Sequence, residues 1–565
     1  MVKVWDEPMR PKSILVLALL SISIFLTPLA INAENEEDYE WFFQLIDEDP
    51  NSAYNFAWAI SNITLDYDTI GYSYRAAGSY GSEKVASYIV NLLTQWGLNV
   101  TIQSFDFINW DIREQPTIRV KICNETFEEP LYPVHYSYGT PEDGLNSTIE
   151  ILPLPENFTY ERLPSDIKAI WDATNISNKI VLIGREVRFN NYWFNEFSKK
   201  LLDERPIAIL YTWATKDFEK YPAFFSSTGG RSLEIFRELK IPIAWIPKKL
   251  AEKIEEAKTN GYEVNATIRI PVIEGEGEIK NIIGSIEGRN KNLAILITAH
   301  YDSVMTAGLA DNAAGTAGCL ELAWAFMQAL KEGIYQPPVN LTFVFFTGEE
   351  SGLIGSLKFY EAYLDYLENS VIGVINLDTL GSYILEVFRS NYELRFLEES
   401  YYLHDFVVAA AHELGLEINI FSDGIHSDDS TFENPLDVIS LAKNWWPDLD
   451  ISITRIINVP AVMIGSWPYL PWERDYEGRV GWIHTPYDNA TSTEAYDWVN
   501  PSRLETQIKV AGLALLDILK LYTPSEENIP QPIPWPLIVI IPGAGLAVII
   551  VYGLRRRKIK SLEKS

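Results

Sequence analysis

The stretch Leu293-Ala-Ile-Leu-Ile-Thr-Ala-His300-Tyr-Asp302 places a continuous apolar run directly before side chains that can bind metal or carry protons. The same order recurs at three later runs: 341–346 before Glu349-Glu350, 371–377 before Asp378, and 461–465 before a loop that leads to His484. Continuous apolar runs are typical of strands buried between helical layers. Helical patterns lie between the runs, so we predict an α/β fold with a mixed central sheet and helices on both faces.

These polar residues follow strand ends, which is where ligands bind in open α/β sheets. Each residue taken singly also has an ordinary explanation. His300 fits a core histidine, Asp311 fits the N-cap of the next helix, and Glu349 and Glu350 fit solvated loop charges. Convergence of all of them on one sheet edge favours a functional site over these explanations.

The residue types at this edge indicate zinc. Histidine and carboxylate ligands without thiolates suit a catalytic zinc site. Two divalent ions carry four positive charges, and Asp311, Glu350 and Asp378 carry three negative ones, so a bridging hydroxide would neutralise the remainder. We therefore predict two Zn²⁺ ions per chain. Glu349 is adjacent to Glu350 but outside this ligand set, and it is the candidate for moving a proton from the nucleophile to the leaving amine.

The motifs at the strand ends resemble those of the co-catalytic dizinc exopeptidases. That family includes aminopeptidase Y-like enzymes, glutamate carboxypeptidase II and the non-enzymatic transferrin receptor. The resemblance covers residues 65–125 and 273–522. It rests on these motifs: Arg75-x-x-Gly78-Ser79-x-Gly81, His300-x-Asp302, Asp311-Asn, Glu349-Glu350, Asn-Leu-Asp378 and His484-Thr-x-x-Asp.

The resemblance implies a role for each site residue. His300 and Asp378 would hold one zinc ion. Glu350 and His484 would hold the other, and Asp311 would bridge the two ions.

The same resemblance implies two further roles, and the sequence departs from the family pattern in one region. Asp302 would orient His300, and Glu349 would be the general base and acid. Many relatives have Ser-Asp-His-x-x-Phe where this chain has Ser427-Asp-Asp429-Ser-Thr-Phe432, and an added segment lies at about 435–455.

A strand-rich insert separates the two parts of the predicted peptidase domain. We place the domain at 34–127 and 273–522 and the insert at 128–272. Short β runs dominate the insert, with a helical stretch near 193–202. Its run Asn178-Lys-Ile-Val-Leu-Ile resembles the protease-associated domain. It has no clustered histidine or acidic motif, so we do not expect catalysis there.

Both ends of the chain carry apolar runs. Residues 1–33 fit a secretory signal or an uncleaved anchor. Residues 533–554 are long enough to span a bilayer, and the basic run at 555–565 predicts a cytoplasmic tail. A proline-rich stalk at 523–532 would then join the membrane span to a catalytic body outside the cell.

Composition excludes several classes of protein. The net charge is −31 over 565 residues, which argues against a nucleic-acid surface. The chain has two cysteines, too few for a disulfide scaffold or a cysteine-built zinc module.

We predict a membrane-anchored zinc aminopeptidase that removes N-terminal residues from peptides. The alternatives are a carboxypeptidase of the same fold, which needs cationic residues for a free carboxylate, and a receptor or scaffold on that fold. A glutaminyl cyclase relative is disfavoured because the resemblance implies a reduced ligand set there. The oligomeric state stays open.

Overall fold

Two eight-stranded sheets organise the described part of the chain. The computed structural model describes residues 39–48, 52–63, 73–153, 165–183, 199–212, 238–422, 427–466, 483–484, 488–489 and 499–523. In chain order the strands are β1 (Asn99–Ile112), β2 (Thr117–Ile122), β3 (Glu125–Pro130), β4 (Tyr132–Pro133), β5 (Leu145–Leu152), β6 (Ile180–Ile183), β7 (Ala208–Tyr211), β8 (Ile243–Trp245), β9 (Val264–Arg269), β10 (Val272–Ile286), β11 (Asn290–His300), β12 (Val339–Phe346), β13 (Val371–Asp378), β14 (Leu385–Phe388), β15 (Ile418–Phe421) and β16 (Ala461–Gly465).

Helices connect and cover these strands. They are α1 (Glu40–Glu48), α2 (Ser52–Asn62), α3 (Tyr80–Gln95), α4 (Ser165–Ala173), α5 (Lys248–Thr259), α6 (Gly315–Lys331), α7 (Ile354–Ala362), α8 (Leu364–Asn369), α9 (Leu403–Glu413), α10 (Asp429–Glu433), α11 (Pro435–Trp445) and α12 (Pro501–Leu521). The sequence pattern predicts one helix over 357–367, but the structure has two, α7 and α8. Tyr363, with φ −114° and ψ 26°, lies between them.

The first sheet is mixed, as predicted, with strand order β1-β10-β12-β11-β13-β16-β14-β15. Its centre is parallel: β11 pairs with β12 and β13, and β13 pairs with β16. Helix α6 connects β11 to β12, and α7 and α8 connect β12 to β13. Parallel neighbours require such crossover connections, and these crossovers bring the carboxyl ends of the four central strands to one edge.

Helices pack on both faces of this sheet. Val374 of β13 lies in a buried cluster with Phe359 of α7 and Leu367 of α8. Leu377 lies three residues later, so its side chain is on the opposite face of the strand. There it packs close to Gly318 of α6, where a Cβ would lie 3.3 Å from the Leu377 side chain.

The second sheet, with order β3-β2-β9-β5-β6-β7-β8-β4, contains the short β runs predicted in the insert, at 148–152, 179–183, 207–211 and 241–246. It begins at Thr117, upstream of the predicted boundary at 128, because β2 pairs with both β3 and β9. The chain leaves the first sheet through β1 and returns through β10. These two strands pair antiparallel from Asn99 opposite Ser285 to Ile112 opposite Val272.

Several predicted segments lie outside the described residues. They are the signal or anchor at 1–33, residues 193–198 of the helical stretch in the insert, the stalk beyond Thr523, the span at 533–554 and the basic tail at 555–565. Among the residues that are described, no helix combines the length and the apolar character needed to cross a bilayer.

Candidate metal centre

Three strand ends, one turn and a later segment bring the predicted ligands together at one edge of the first sheet. His300 ends β11 and Asp378 ends β13, its parallel neighbour. Glu350 lies in the loop 347–353 that follows β12, whose Phe346 pairs with His300. Asp311 lies in a short turn, Leu309–Ala314, before α6. His484 belongs to the segment that follows β16.

The five side chains form two groups that share Asp311. Asp311 Oδ1 lies 3.3 Å from His300 Nε2, which lies 3.5 Å from Asp378 Oδ1. Asp311 Oδ2 lies 2.9 Å from His484 Nε2, which lies 3.2 Å from Glu350 Oε1. One ligand atom from each member of a group lies within 4.8 Å of the others. The structure thus places one Asp311 oxygen in each group.

The donor atoms of these groups fit metal ions. His300, Asp311, Glu350 and Asp378 are buried. Among the described residues, His300 Nε2 and Asp378 Oδ1 find no hydrogen-bond partner, although both atoms are shielded from solvent. Buried polar groups normally have hydrogen-bond partners. A cation bound by these two atoms would supply the interaction that they lack. Imidazole and carboxylate ligands match the preferences of zinc.

The pKa shifts of the site residues also fit a bound cation. Burial lowers the pKa of His300 and of His484, but the surrounding carboxylates outweigh it and raise both well above their usual value. Burial also raises the pKa of Asp378, against the opposing effect of His300. Without a cation, protons on the imidazoles offset the buried negative charge. Metal ligands must be deprotonated, so a bound metal would replace those protons.

Glu349 lies beside the two groups and belongs to neither. Its Oε2 is 4.0 Å from His300 Nε2, and 16% of its side chain is exposed. Burial and the carboxylates of Glu350 and Asp428 raise its pKa well above the usual value, while His300 opposes the shift. Glu349 is thus positioned next to the predicted ligands with access to solvent.

Asp302 contacts both His300 and the loop 347–353. His300 Nδ1 lies 3.2 Å from the Asp302 main-chain oxygen and 3.5 Å from Oδ1. The Glu349 main-chain N–H donates to that same Oδ1 at 3.2 Å. Asp302 is therefore a positioning residue that links the imidazole to the loop carrying Glu349.

Comparison with known proteins relates part of the chain to one family. Residues 281–500, which contain all five predicted ligands, match the profile of Peptidase family M28. Over this segment the chain is similar to Peptidase family M28.

Two curated relatives and one solved structure show further similarities. A glutamate carboxypeptidase 2 homolog of Caenorhabditis briggsae is 31% identical over 144 residues, 25% of this chain and 18% of that protein. A probable lipoprotein aminopeptidase of Mycobacterium tuberculosis, LpqL, is 24% identical over 312 residues, 54% of this chain and 55% of that protein. This chain thus spans about a fifth to a half of these relatives. The crystal structure of a zinc aminopeptidase from Bacillus subtilis shares the fold, with a TM-score of 0.54, 20% identity, and coverage of 83% of this chain and 95% of that one.

Arg75 contacts the segment between two predicted ligands without being a predicted ligand itself. Its buried guanidinium donates hydrogen bonds to three main-chain oxygens of the segment between His300 and Asp311: Tyr301, at 2.6 Å, Ala307, and Gly308, at 2.8 Å. The sequence motif contains Arg75 but gives no sign of this role, because the partners lie more than 220 residues away.

Asn312 and Asp488 fix the turn that carries Asp311. Asn312 Nδ2 donates to the Leu377 oxygen at 2.9 Å, and its Oδ1 accepts from the Thr379 N–H at 3.1 Å. Asp488 accepts from the Ala310 and Asp311 N–H groups at 2.8 and 3.2 Å. Burial raises the pKa of Asp488 to about 7. Asp488 therefore ties the segment that carries His484 to the turn that carries Asp311.

We expect Asp488→Asn to weaken zinc binding. An asparagine retains one acceptor oxygen, so it can accept only one of the two hydrogen bonds without rearrangement. Partners that orient metal ligands typically contribute 10–100-fold to metal affinity, and we expect a loss of about that size. Zinc titration with a competing chelator measures it. Asp172→Asn, at an exposed residue of α4, is the control. Equal zinc affinity in the two variants would contradict the role given to Asp488.

Proposed function

We propose that this protein is a zinc-dependent exopeptidase, specifically an aminopeptidase that removes N-terminal residues from peptides. The observation that carries the proposal is the Asp311 carboxylate, which presents one oxygen to each of two histidine-carboxylate groups. The match of residues 281–500 to Peptidase family M28 supports hydrolysis of peptides as the reaction.

Each group supplies the ligands for one ion. His300 and Asp378 would hold one zinc, Glu350 and His484 the other, and Asp311 would bridge them. Zinc bound there would lower the pKa of a water molecule and polarise the substrate carbonyl.

Glu349 would move the proton that this reaction requires. It lies outside both ligand groups and is partly open to solvent. Its carboxylate would take a proton from the attacking water and return it to the leaving amine, as a general base and then a general acid. Asp302 would hold His300 and the loop of Glu349 in the arrangement that this transfer needs.

The charge of the site favours an aminopeptidase over a carboxypeptidase. Recognition of a free carboxylate needs an available cation. Arg75 is near the ligand carboxylates, but its guanidinium nitrogens donate to main-chain oxygens. The carboxylates of Glu349 and Asp378, by contrast, suit an ammonium group. The M. tuberculosis relative and the B. subtilis protein are also named as aminopeptidases.

Glu349→Gln and Asp311→Asn separate catalysis from metal binding. Glu349→Gln keeps the side-chain size but removes its proton-transfer ability, so turnover should fall about 10²–10⁴-fold while zinc content stays at the wild-type level. Asp311→Asn removes the charge of the shared ligand, so both zinc ions should bind more weakly. Turnover of an aminoacyl amide and zinc content of the dialysed proteins measure the two effects.

Two outcomes of this comparison would contradict the assigned roles. Loss of zinc in Glu349→Gln would make Glu349 a ligand. A wild-type protein that neither binds zinc nor cleaves any peptide would favour a scaffold on a peptidase fold.

Blocking the substrate tests the direction of cleavage. A peptide with a free N-terminus should be hydrolysed, and the same peptide with an acetylated N-terminus should resist hydrolysis, because it lacks the ammonium group. Mass spectrometry of the products identifies the residue removed. Release of C-terminal residues from the acetylated peptide would identify a carboxypeptidase instead.

We further propose that the chain is anchored in the cell membrane by residues 533–554 with the catalytic body outside. The apolar run and the basic residues that follow it support this topology. The full chain should therefore sediment with membranes, and a chain ending at Thr523 should not. Sedimentation of the shortened chain with membranes would show that 533–554 is not required for anchoring, as an uncleaved anchor at 1–33 would allow.

A further inference from the structure

Ser351 directly follows Glu349 and Glu350 and is held by two aromatic side chains from separate parts of the chain. Tyr136 Oη lies 3.0 Å from Ser351 Oγ, and Trp446 Nε1 donates to the Ser351 main-chain oxygen at 2.7 Å. We propose that Tyr136 and Trp446 are positioning residues, which set the path of the loop 347–353 and so place the Glu349 carboxylate for proton transfer. This inference rests on the proposed function.

The direction of the Tyr136 hydrogen bonds makes the contact specific. The Tyr136 hydroxyl donates to the Ala77 main-chain oxygen at 3.1 Å. Since a phenol has one proton, its oxygen accepts from the Ser351 hydroxyl. Tyr136 and Ser351 are buried, so removal of the phenolic oxygen leaves the Ser351 hydroxyl without this acceptor, and water cannot readily replace it.

Hydrogen bonds within the loop make the position of Glu349 depend on that of Ser351. The Gly352 and Leu353 N–H groups donate to the Glu349 main-chain oxygen at 2.8 and 2.9 Å. A Cβ on Gly352 would lie 2.6 Å from the Trp445 ring, so the turn packs directly on the end of α11. A shift of Ser351 therefore moves the main chain from which the Glu349 side chain extends.

Tyr136 belongs to a segment that is bound to the second sheet. The Val134 N–H donates to the Ile243 oxygen at 3.0 Å, and the Ile243 N–H donates to Ser137 Oγ at 2.8 Å. Trp110 Nε1, from β1, donates to the Ser137 oxygen at 2.9 Å. The contact from Tyr136 to Ser351 therefore joins the second sheet to the loop that carries Glu349.

Trp446 belongs to the added segment at 435–455, and it packs against Tyr136. The two rings are T-shaped with centroids 5.0 Å apart, and Phe107 contacts both, at 5.0 Å from Trp446 and 5.9 Å from Tyr136. Such aromatic pairs add to the stabilisation from burial. The insert and the added segment thus meet at one turn of the site, although neither supplies a predicted ligand.

Matched substitutions test this proposal. Tyr136→Phe and Trp446→Phe each keep an aromatic ring and remove one hydrogen-bonding group from the Ser351 contacts. We expect kcat to fall about tenfold in each, the effect of roughly one lost hydrogen bond, with KM within about twofold of the wild-type value and zinc content unchanged. The controls are Tyr132→Phe in β4, and Trp171→Phe, which removes an indole N–H that donates to the Pro153 oxygen at 2.9 Å. Both controls should keep wild-type kcat.

Ser351→Ala provides the second measurement. It removes the hydroxyl from the other side of the contact, so it should lower kcat as Tyr136→Phe does, and the double variant should lose little more than either single variant. It also tests the contact if Tyr136→Phe does not fold. Three results would each overturn the proposal. They are wild-type kcat in both Tyr136→Phe and Ser351→Ala, equal losses of kcat in the controls, and losses of kcat proportional to the loss of zinc. A wild-type protein without peptidase activity would instead refute the proposed function.

Discussion

The Asp311 carboxylate is the group on which the rest of the site depends. It lies between two imidazoles, with Oδ1 3.3 Å from His300 Nε2 and Oδ2 2.9 Å from His484 Nε2. A buried carboxylate is costly unless positive charge and hydrogen bonds surround it. Here burial alone would raise the pKa of Asp311, but the imidazoles of His300 and His484 lower it below its usual value. The surrounding fold holds this carboxylate and the two histidines at these distances from one another.

Distant parts of the chain contribute to this positioning. Arg75, near the start of the described chain, binds three main-chain oxygens between His300 and Asp311. Asp488 accepts hydrogen bonds from the turn that carries Asp311, and Asn312 joins that turn to the end of β13. The turn that carries Asp311 is therefore fixed by hydrogen bonds that involve main-chain groups.

The sequence predicts the central sheet and the ligand cluster because both follow from local patterns. Apolar runs mark β11, β12 and β13, and the carboxyl ends of parallel strands meet at one edge, so residues after such runs converge. The supporting contacts leave no such pattern. Arg75 and Tyr136 reach partners more than 200 residues away, and a single arginine or tyrosine in a loop does not reveal its partner. The boundary at 128 differs from Thr117 for a similar reason, since the pairing of β2 with β9 joins segments far apart in the chain.

The anomalous scattering of zinc in a crystal of the zinc-loaded protein tests the central claim most directly. Two peaks about 3.5–4 Å apart are expected, one against His300 and Asp378 and the other against Glu350 and His484, with the Asp311 carboxylate between them. A single peak, or two peaks that Asp311 does not join, would contradict the shared-carboxylate centre.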